Sequence, residues 1–254
     1  MSAYGAILAQ VTDIPSLRGA HLVDRYLDDV RIDRSVVDGM VMRGVAFEHL
    51  DIDAPFLHEG GVLLVNGVDV APFVDAELER RFPGREQRFA PDPAGLRAAH
   101  AALVAAWDDL VARAEELPDD AVHAQVDDEW SLAQTIRHGV FAIDVWLGVC
   151  TGTDDVHPLG QPHAEAEESG FDLSRLDLDE APWADVLAAR ADRDARVVAY
   201  LADVTDADLV REVPNPWWPD GTLTVRDALH TILGEGWEHL RFATRDLATV
   251  AEEI

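Results

Sequence analysis

The stretch "HTILGEGWEHLRF" sets Glu235 and His239 four residues apart. On a helix that spacing stacks both side chains on one face, a turn apart. A second stretch, "EWSLAQTIRHGVFAIDVWLG", carries His138 on the side shared with Phe141 and Val145. Two such helices facing each other bring one imidazole against an imidazole and a carboxylate, as helical bundles do when they build metal sites in their cores. Donors of the types at His138, Glu235 and His239 suit Zn²⁺, and also Ni²⁺ or Fe²⁺. Three protein donors leave a coordination position open, the mark of a catalytic rather than a structural site. Spacing by itself is a modest signal, because E-x-x-x-H also occurs on solvated helices and a lone histidine on an apolar face is commonly a core residue.

The elements that must position these groups are legible from Asp92 onward. Asp92-Pro93 predicts a cap and a proline at the first helical position, opening a helix that carries Leu96, Leu103, Trp107 and Leu110 to about Glu116. Ser131 and Gln134 form a capping box for a second helix that runs to about Cys150. A third starts near Pro182 with Val186, Leu187, Val197, Val198 and Leu201, and a fourth starts at Thr224 and runs to about Glu252. Four amphipathic helices of this length predict a four-helix bundle over residues 93–254. A loop over 151–180 holds His157 and His163, which could reach a substrate, although an exposed loop histidine is the commoner outcome. Trp217 and Trp218, just before the fourth helix, either wall a pocket mouth or plug the end of the bundle. Gln134, one turn before His138, is a candidate partner behind that ligand.

Trp130-Ser131 ahead of His138, and the form V-R-D-x-L-H-x-I-x-x-E-x-x-x-H in the fourth helix, resemble the DinB-like superfamily over roughly residues 93–254. The resemblance implies a four-helix bundle with a divalent metal held by one histidine of the second helix and two ligands of the fourth. Carried over by position, the ligands are His138, Glu235 and His239. The E-x-x-x-H form looks like the mycothiol-dependent branch, which includes a maleylpyruvate isomerase and S-transferases. That implies a low-molecular-weight thiol, mycothiol, as co-substrate and a small electrophile as its partner. Many relatives place a further histidine three residues after the last ligand, where this chain has Phe242. His230 turns away from the ligand face and is expected to make a packing or polar contact.

The front of the chain reads differently. Leu17, Leu22, Leu27, Ile32, Val37, Met42, Phe47, Ile52 and Leu57 recur at every fifth position, a period that fits neither helix nor strand. It resembles the pentapeptide-repeat family and predicts a short right-handed β-solenoid over residues 1–60, with Leu22, Leu27, Ile32, Val37, Met42 and Phe47 pointing inward. A second inward ladder is degenerate at Arg25 and Met40. Residues 61–92 read as a hairpin on Asn66-Gly67, a short helix from Pro72 and a linker. The fold class expected for the whole is therefore α+β multidomain, a solenoid followed by a DinB-like bundle.

Charge and composition bound the function. Asp and Glu total 49 against 20 Lys and Arg, a net charge of −29, which argues against nucleic acid or an anionic membrane as partner. No stretch reads as a membrane span. The N-terminus has no basic leader and Cys150 is the single cysteine, so a cytoplasmic protein is expected. The expected function is a metal-dependent thiol S-transferase, or a thiol-assisted isomerase, acting on a small electrophile. The alternatives are a non-catalytic acidic binding protein whose solenoid mimics DNA, and a DinB-like bundle that has lost catalysis. The solenoid would also offer a surface for a homodimer.

Overall fold

The computed structural model describes residues 16–254 except Phe56, Glu165 and Glu168. By its internal contacts the chain divides into two units, Met1–Ala76 and Glu77–Ile254.

In the first unit the period of five is written into the backbone. Gly19, Asp24, Asp29, Arg34, Gly39 and Gly44, one at every fifth position, all have positive φ. Glycine and aspartate are among the residues that enter this left-handed region most readily. The side chains do not follow the expectation of a buried ladder. Leu22 is 63% exposed, Met42 48% and Phe47 61%, and no strand forms among the described residues of 17–57. The inward ladder of Leu22, Leu27, Ile32, Val37, Met42 and Phe47 is thus not formed. A solenoid buries its central residues by stacking coil on coil, and about two coils' length of sequence supplies too few neighbours to enclose them. Substituting Phe47→Asp should accordingly change the midpoint of urea unfolding by no more than about 0.5 kcal/mol in equivalent stability, as for other exposed positions. The hairpin is present as β1 (Leu64–Val65) and β2 (Val68–Asp69), with Asn66 and Gly67 both at positive φ, as a type I′ turn requires. Helix α1 (Ala71–Arg81) follows.

The second unit is helical. Helix α2 (Pro93–Ala114) starts where the Asp92 carboxylate accepts the Gly95 N–H at 2.8 Å. Helix α3 (Leu132–Thr151) opens on the Ser131–Gln134 capping box and ends at Gly152, whose φ is 72°. Helix α4 (Trp183–Asp203) starts after Pro182, and a short α5 (Asp206–Leu209) follows. Strands β3 (Glu212–Asn215) and β4 (Trp218–Thr224) pair antiparallel, a hairpin in what reads from sequence as loop. Helix α6 (Val225–Glu253) opens on a second capping box, Thr224 with Asp227. Each cap satisfies backbone N–H groups that the first turn leaves without helical partners.

Helix α3 packs against α6 and α4, and α2 packs against α6 and α4, which is the four-helix bundle. Leu96, Leu110, Val186, Val197, Val225 and Trp237 are almost wholly buried between the helices. A short 3₁₀ segment, Arg85–Phe89, is tied to the bundle by charge: Arg85 binds Glu79 at 2.6 Å and reaches Glu238 of α6 at 3.3 Å. Among the described residues no helix is long and apolar enough to cross a membrane.

Candidate metal centre

His138 on α3 and Glu235 and His239 on α6 converge, with one ligand atom from each lying within 4.8 Å of the other two. The packing of α3 on α6 produces this, since His138 faces α6 and the i,i+4 spacing stacks the other two on the side facing α3. The His138 side chain is 8% exposed and that of Glu235 34%, while that of His239 is 16% exposed. The cluster is therefore reached from solvent through the carboxylate.

Both imidazoles are fixed by backbone. His138 Nδ1 lies 2.8 Å from the Gln161 carbonyl, and His239 Nδ1 lies 2.7 Å from the Glu235 carbonyl one turn earlier. A carbonyl can only accept, so each Nδ1 carries a proton, which leaves Nε2 as the ring nitrogen that a metal could take. His138 Nε2 stands 3.8 Å from a Glu235 carboxylate oxygen. Burial works against the Glu235 charge, but His138 and the fields of His239 and His163 outweigh it and hold the carboxyl below its ordinary range. Burial, reinforced by His138, pushes His239 down from the ordinary imidazole value against the opposing pull of Glu235. Two buried imidazoles beside a carboxylate form a donor set that fits a divalent cation.

The Gln161 carbonyl that accepts from His138 Nδ1 belongs to the 151–180 loop, and Arg137 holds that loop in place. Its guanidinium, 2% exposed, donates to the carbonyls of Leu159 and Asp179 at 2.8 Å each and to that of Asp177. The Gln161 N–H returns a bond to the Arg137 carbonyl at 3.0 Å. Sequence reasoning passed over Arg137. Its signal was an arginine on an otherwise apolar helix face, immediately before the proposed ligand.

Aromatic rings close around the triad. Trp130 lies 4.7 Å from the His138 ring and 6.3 Å from that of His239, centroid to centroid. Phe141, one turn after His138, meets Phe171 at 4.9 Å and Trp217 at 6.2 Å. His163 stands edge-on to Trp217 at 4.5 Å and 6.3 Å from Phe141. Trp217 thus packs against Phe141 and His163, whereas Trp218 is 49% exposed and joins none of these ring contacts. Gln134 does not stand behind His138: its carbonyl oxygen accepts from the Ser131 N–H and from Gln125, both at 3.0 Å, so its polar end is spent on the cap. His157 is structural, taking the Leu159 N–H on Nδ1 and giving its own backbone N–H to Asp144. His230 bonds the Ala90 carbonyl and meets the Phe89 ring edge-on, the polar contact expected of it. Phe242 lies edge-on to His239 at 5.9 Å.

Gly236, between the two ligands of α6, lets α2 approach. A Cβ there would fall 2.5 Å from Leu103 Cδ2, and the Gly236 carbonyl accepts the Trp107 indole N–H at 3.2 Å. Gly236→Ala should cost about 1–3 kcal/mol through overpacking, read as a lower midpoint in thermal or urea unfolding.

Residues 102–243 match the DinB superfamily, more than half of the chain, and the chain belongs to that superfamily. No curated protein and no solved structure gives a significant match. The superfamily includes metal-binding enzymes, and the triad lies within the matched residues.

Proposed function

We propose that the protein holds a divalent cation on His138, Glu235 and His239 and transfers a low-molecular-weight thiol to a small electrophile. The observation that carries this reading is the convergence of the three donors within 4.8 Å of one another, with each imidazole held by its Nδ1 on a backbone carbonyl. Bound there, zinc or another divalent cation would supply the positive field that lowers the pKa of a thiol. Glu235 offsets part of that charge, Trp130 covers the imidazoles, and the loop clamped by Arg137 keeps the His138 ring oriented. The thiol releases its proton to solvent, its sulfur bonds to the substrate carbon, and the leaving group departs with the bonding pair. Thiol-assisted isomerisation would use the same thiolate as an attacking group that is later expelled. The resemblance of the E-x-x-x-H helix to the mycothiol-dependent branch makes mycothiol the thiol of choice.

The thiol must come from outside the chain. Cys150 is the single cysteine, and burial pushes its pKa up to about 12. Thiols in such surroundings are inert. Iodoacetamide should leave Cys150 of the native protein unmodified and label it once the chain is unfolded, as read by mass spectrometry.

The test of function mixes zinc-loaded protein with an electrophile and mycothiol, glutathione, bacillithiol or cysteine, and follows adduct formation. Metal-dependent acceleration with mycothiol above the others is expected. No acceleration with any thiol would remove the transferase reading and leave a bundle without catalysis.

We also infer that residues 17–57 are a degenerate pentapeptide-repeat-like module. The left-handed residue at every fifth position supports this. An acidic binding role for that module would be tested by DNA-gyrase inhibition, with no inhibition counting against it.

A further inference from the structure

A cavity of about 50 Å³ lies inside the bundle between α2, α3, α4 and α6, and Glu235 and His239 both form part of its lining. That volume has room for roughly three or four water-sized atoms. The lining is mainly apolar, with Leu103 and Trp107 from α2, Ile136 and Val140 from α3 and Ile232 from α6. The polar groups that α2 and α4 bring to it are engaged with one another. Asp194 meets His100 and Arg190 at 3.4 Å each, and Arg190 also reaches Asp108 at 2.9 Å. A group reaching in from the triad therefore meets hydrocarbon and charges that are already paired.

Gly139, the residue after His138, is a second and independent observation. It sits in the interior of α3 and lines the same cavity. Glycine costs a helix interior more than any residue except proline. Packing does not require it here. A Cβ at Gly139 would meet no atom of another segment within 4 Å, whereas one at Gly236 would strike Leu103. What the missing side chain leaves is room in the cavity, immediately beside a donor of the triad.

We propose that the electrophile carries a short unbranched aliphatic arm, which enters the bundle past Glu235 and His239 and lies in this cavity, with Gly139 setting the length admitted. This rests on the thiol-transfer reading of the centre and deepens it: the polar, reacting end stays at the triad while the arm is buried. A cation on the triad accepts a neutral or an anionic oxygen head alike, so the arm and not the charge of the head makes the selection.

The test is titration calorimetry of the zinc-loaded full chain with straight-chain hydroxamates, from acetohydroxamate to octanohydroxamate, whose common head binds zinc. Affinity should rise about fourfold per methylene over roughly the first three or four carbons and then level off. Pivalohydroxamate, branched next to its head, should bind at least about tenfold more weakly than pentanohydroxamate of the same carbon number. Gly139→Leu should flatten the series, with zinc content measured in parallel. Gly139→Ala gives an independent reading should the leucine variant fail to fold. Its series should level off at least one carbon sooner, and the Tm of the metal-free chain should rise by about 2–4 °C. A series without length dependence in zinc-loaded protein overturns the inference. So does a rise that continues unbroken to octanohydroxamate, or one that passes unchanged through both variants. A lower Tm for Gly139→Ala would assign the glycine to packing and overturn it too. Hydroxamate binding needs zinc but no thiol, so the two ideas fail separately. A chain that conjugates thiols yet gives a flat series loses the arm alone. One that shows the length limit but never conjugates a thiol keeps the cavity and loses the transferase reading, and one that takes up no zinc loses both.

Discussion

Alanine at His138 or at His239 should lower zinc affinity by at least about a hundredfold, the upper end of what losing even an outer-shell partner costs. Each variant removes one of three donors and leaves an arrangement that water must complete. The bundle should still form, because its core of Leu96, Leu110, Val186, Val197, Val225 and Trp237 lies between the helices and needs no cation to bury it. Circular dichroism should therefore be native while metal content after dialysis falls. His123→Ala is the control, since that imidazole faces Glu180 at 3.8 Å and is not one of the three converging donors. Wild-type zinc content in both ligand variants would refute the site. The pH dependence has a definite sign. Zinc takes neutral imidazole, so affinity falls as pH falls. The depression of His239 moves that loss to lower pH than an ordinary imidazole, about 6.5, would give.

Arg193→Ala should destabilise the fold by about 3–5 kcal/mol, the cost of leaving one member of a buried ion pair alone. Arg193 Nε meets Asp144 at 2.6 Å, and the two side chains are 3% and 2% exposed. Asp144 joins three segments, because its other oxygen accepts the His157 N–H at 2.8 Å and so pins the start of the 151–180 loop. Burial already raises the Asp144 pKa, with the His157 N–H and Arg193 opposing. Without Arg193 the pKa should rise further. A folded-state carboxyl raised above its unfolded value binds more protons in the fold than in the coil between the two pKa values. Stability then gains as pH falls through the raised value. The deficit of Arg193→Ala should therefore be largest near pH 7 and shrink toward pH 5 in urea unfolding. Equal deficits at both pH values would mean that lost packing, and not a stranded carboxylate, is responsible.

Much of the bundle was open to reading because its signals are local. Asp92, Ser131 and Thr224 cap the helices at the positions their chemistry implies, and the triad needed only helical spacing and an apolar face. The rest depended on contacts between distant segments. Nothing near Arg137 in sequence announces that its guanidinium gathers carbonyls from 159, 177 and 179. Gln134 reads as available to His138 because capping a helix and holding a ligand's ring ask for the same residue type, and the cap is local. The β3–β4 hairpin was hidden by Pro214, Pro216 and Pro219, which read as loop. The front segment shows the reverse error. Its apolar period was real, but periodicity reports a repeated backbone conformation and says nothing about whether anything covers the side chains. The glycines and aspartates at the left-handed positions were the safer signal.

The clamp at Arg137 also has a consequence for how this protein can change. One guanidinium grips both ends of a segment, at Leu159 on one side and at Asp177 and Asp179 on the other. What lies between is a closed excursion that begins and ends at the same fixed point, as in an Ω-loop. Lengthening such an excursion costs little, since closure entropy grows only with the logarithm of its length. Residues such as His163 and Phe171 can thus be replaced, or the stretch between them extended, without displacing the Gln161 carbonyl that orients His138. The geometry separates a stretch held at its two ends from the carbonyl that orients His138, so changes at the exposed positions of 162–176 should leave zinc affinity unchanged.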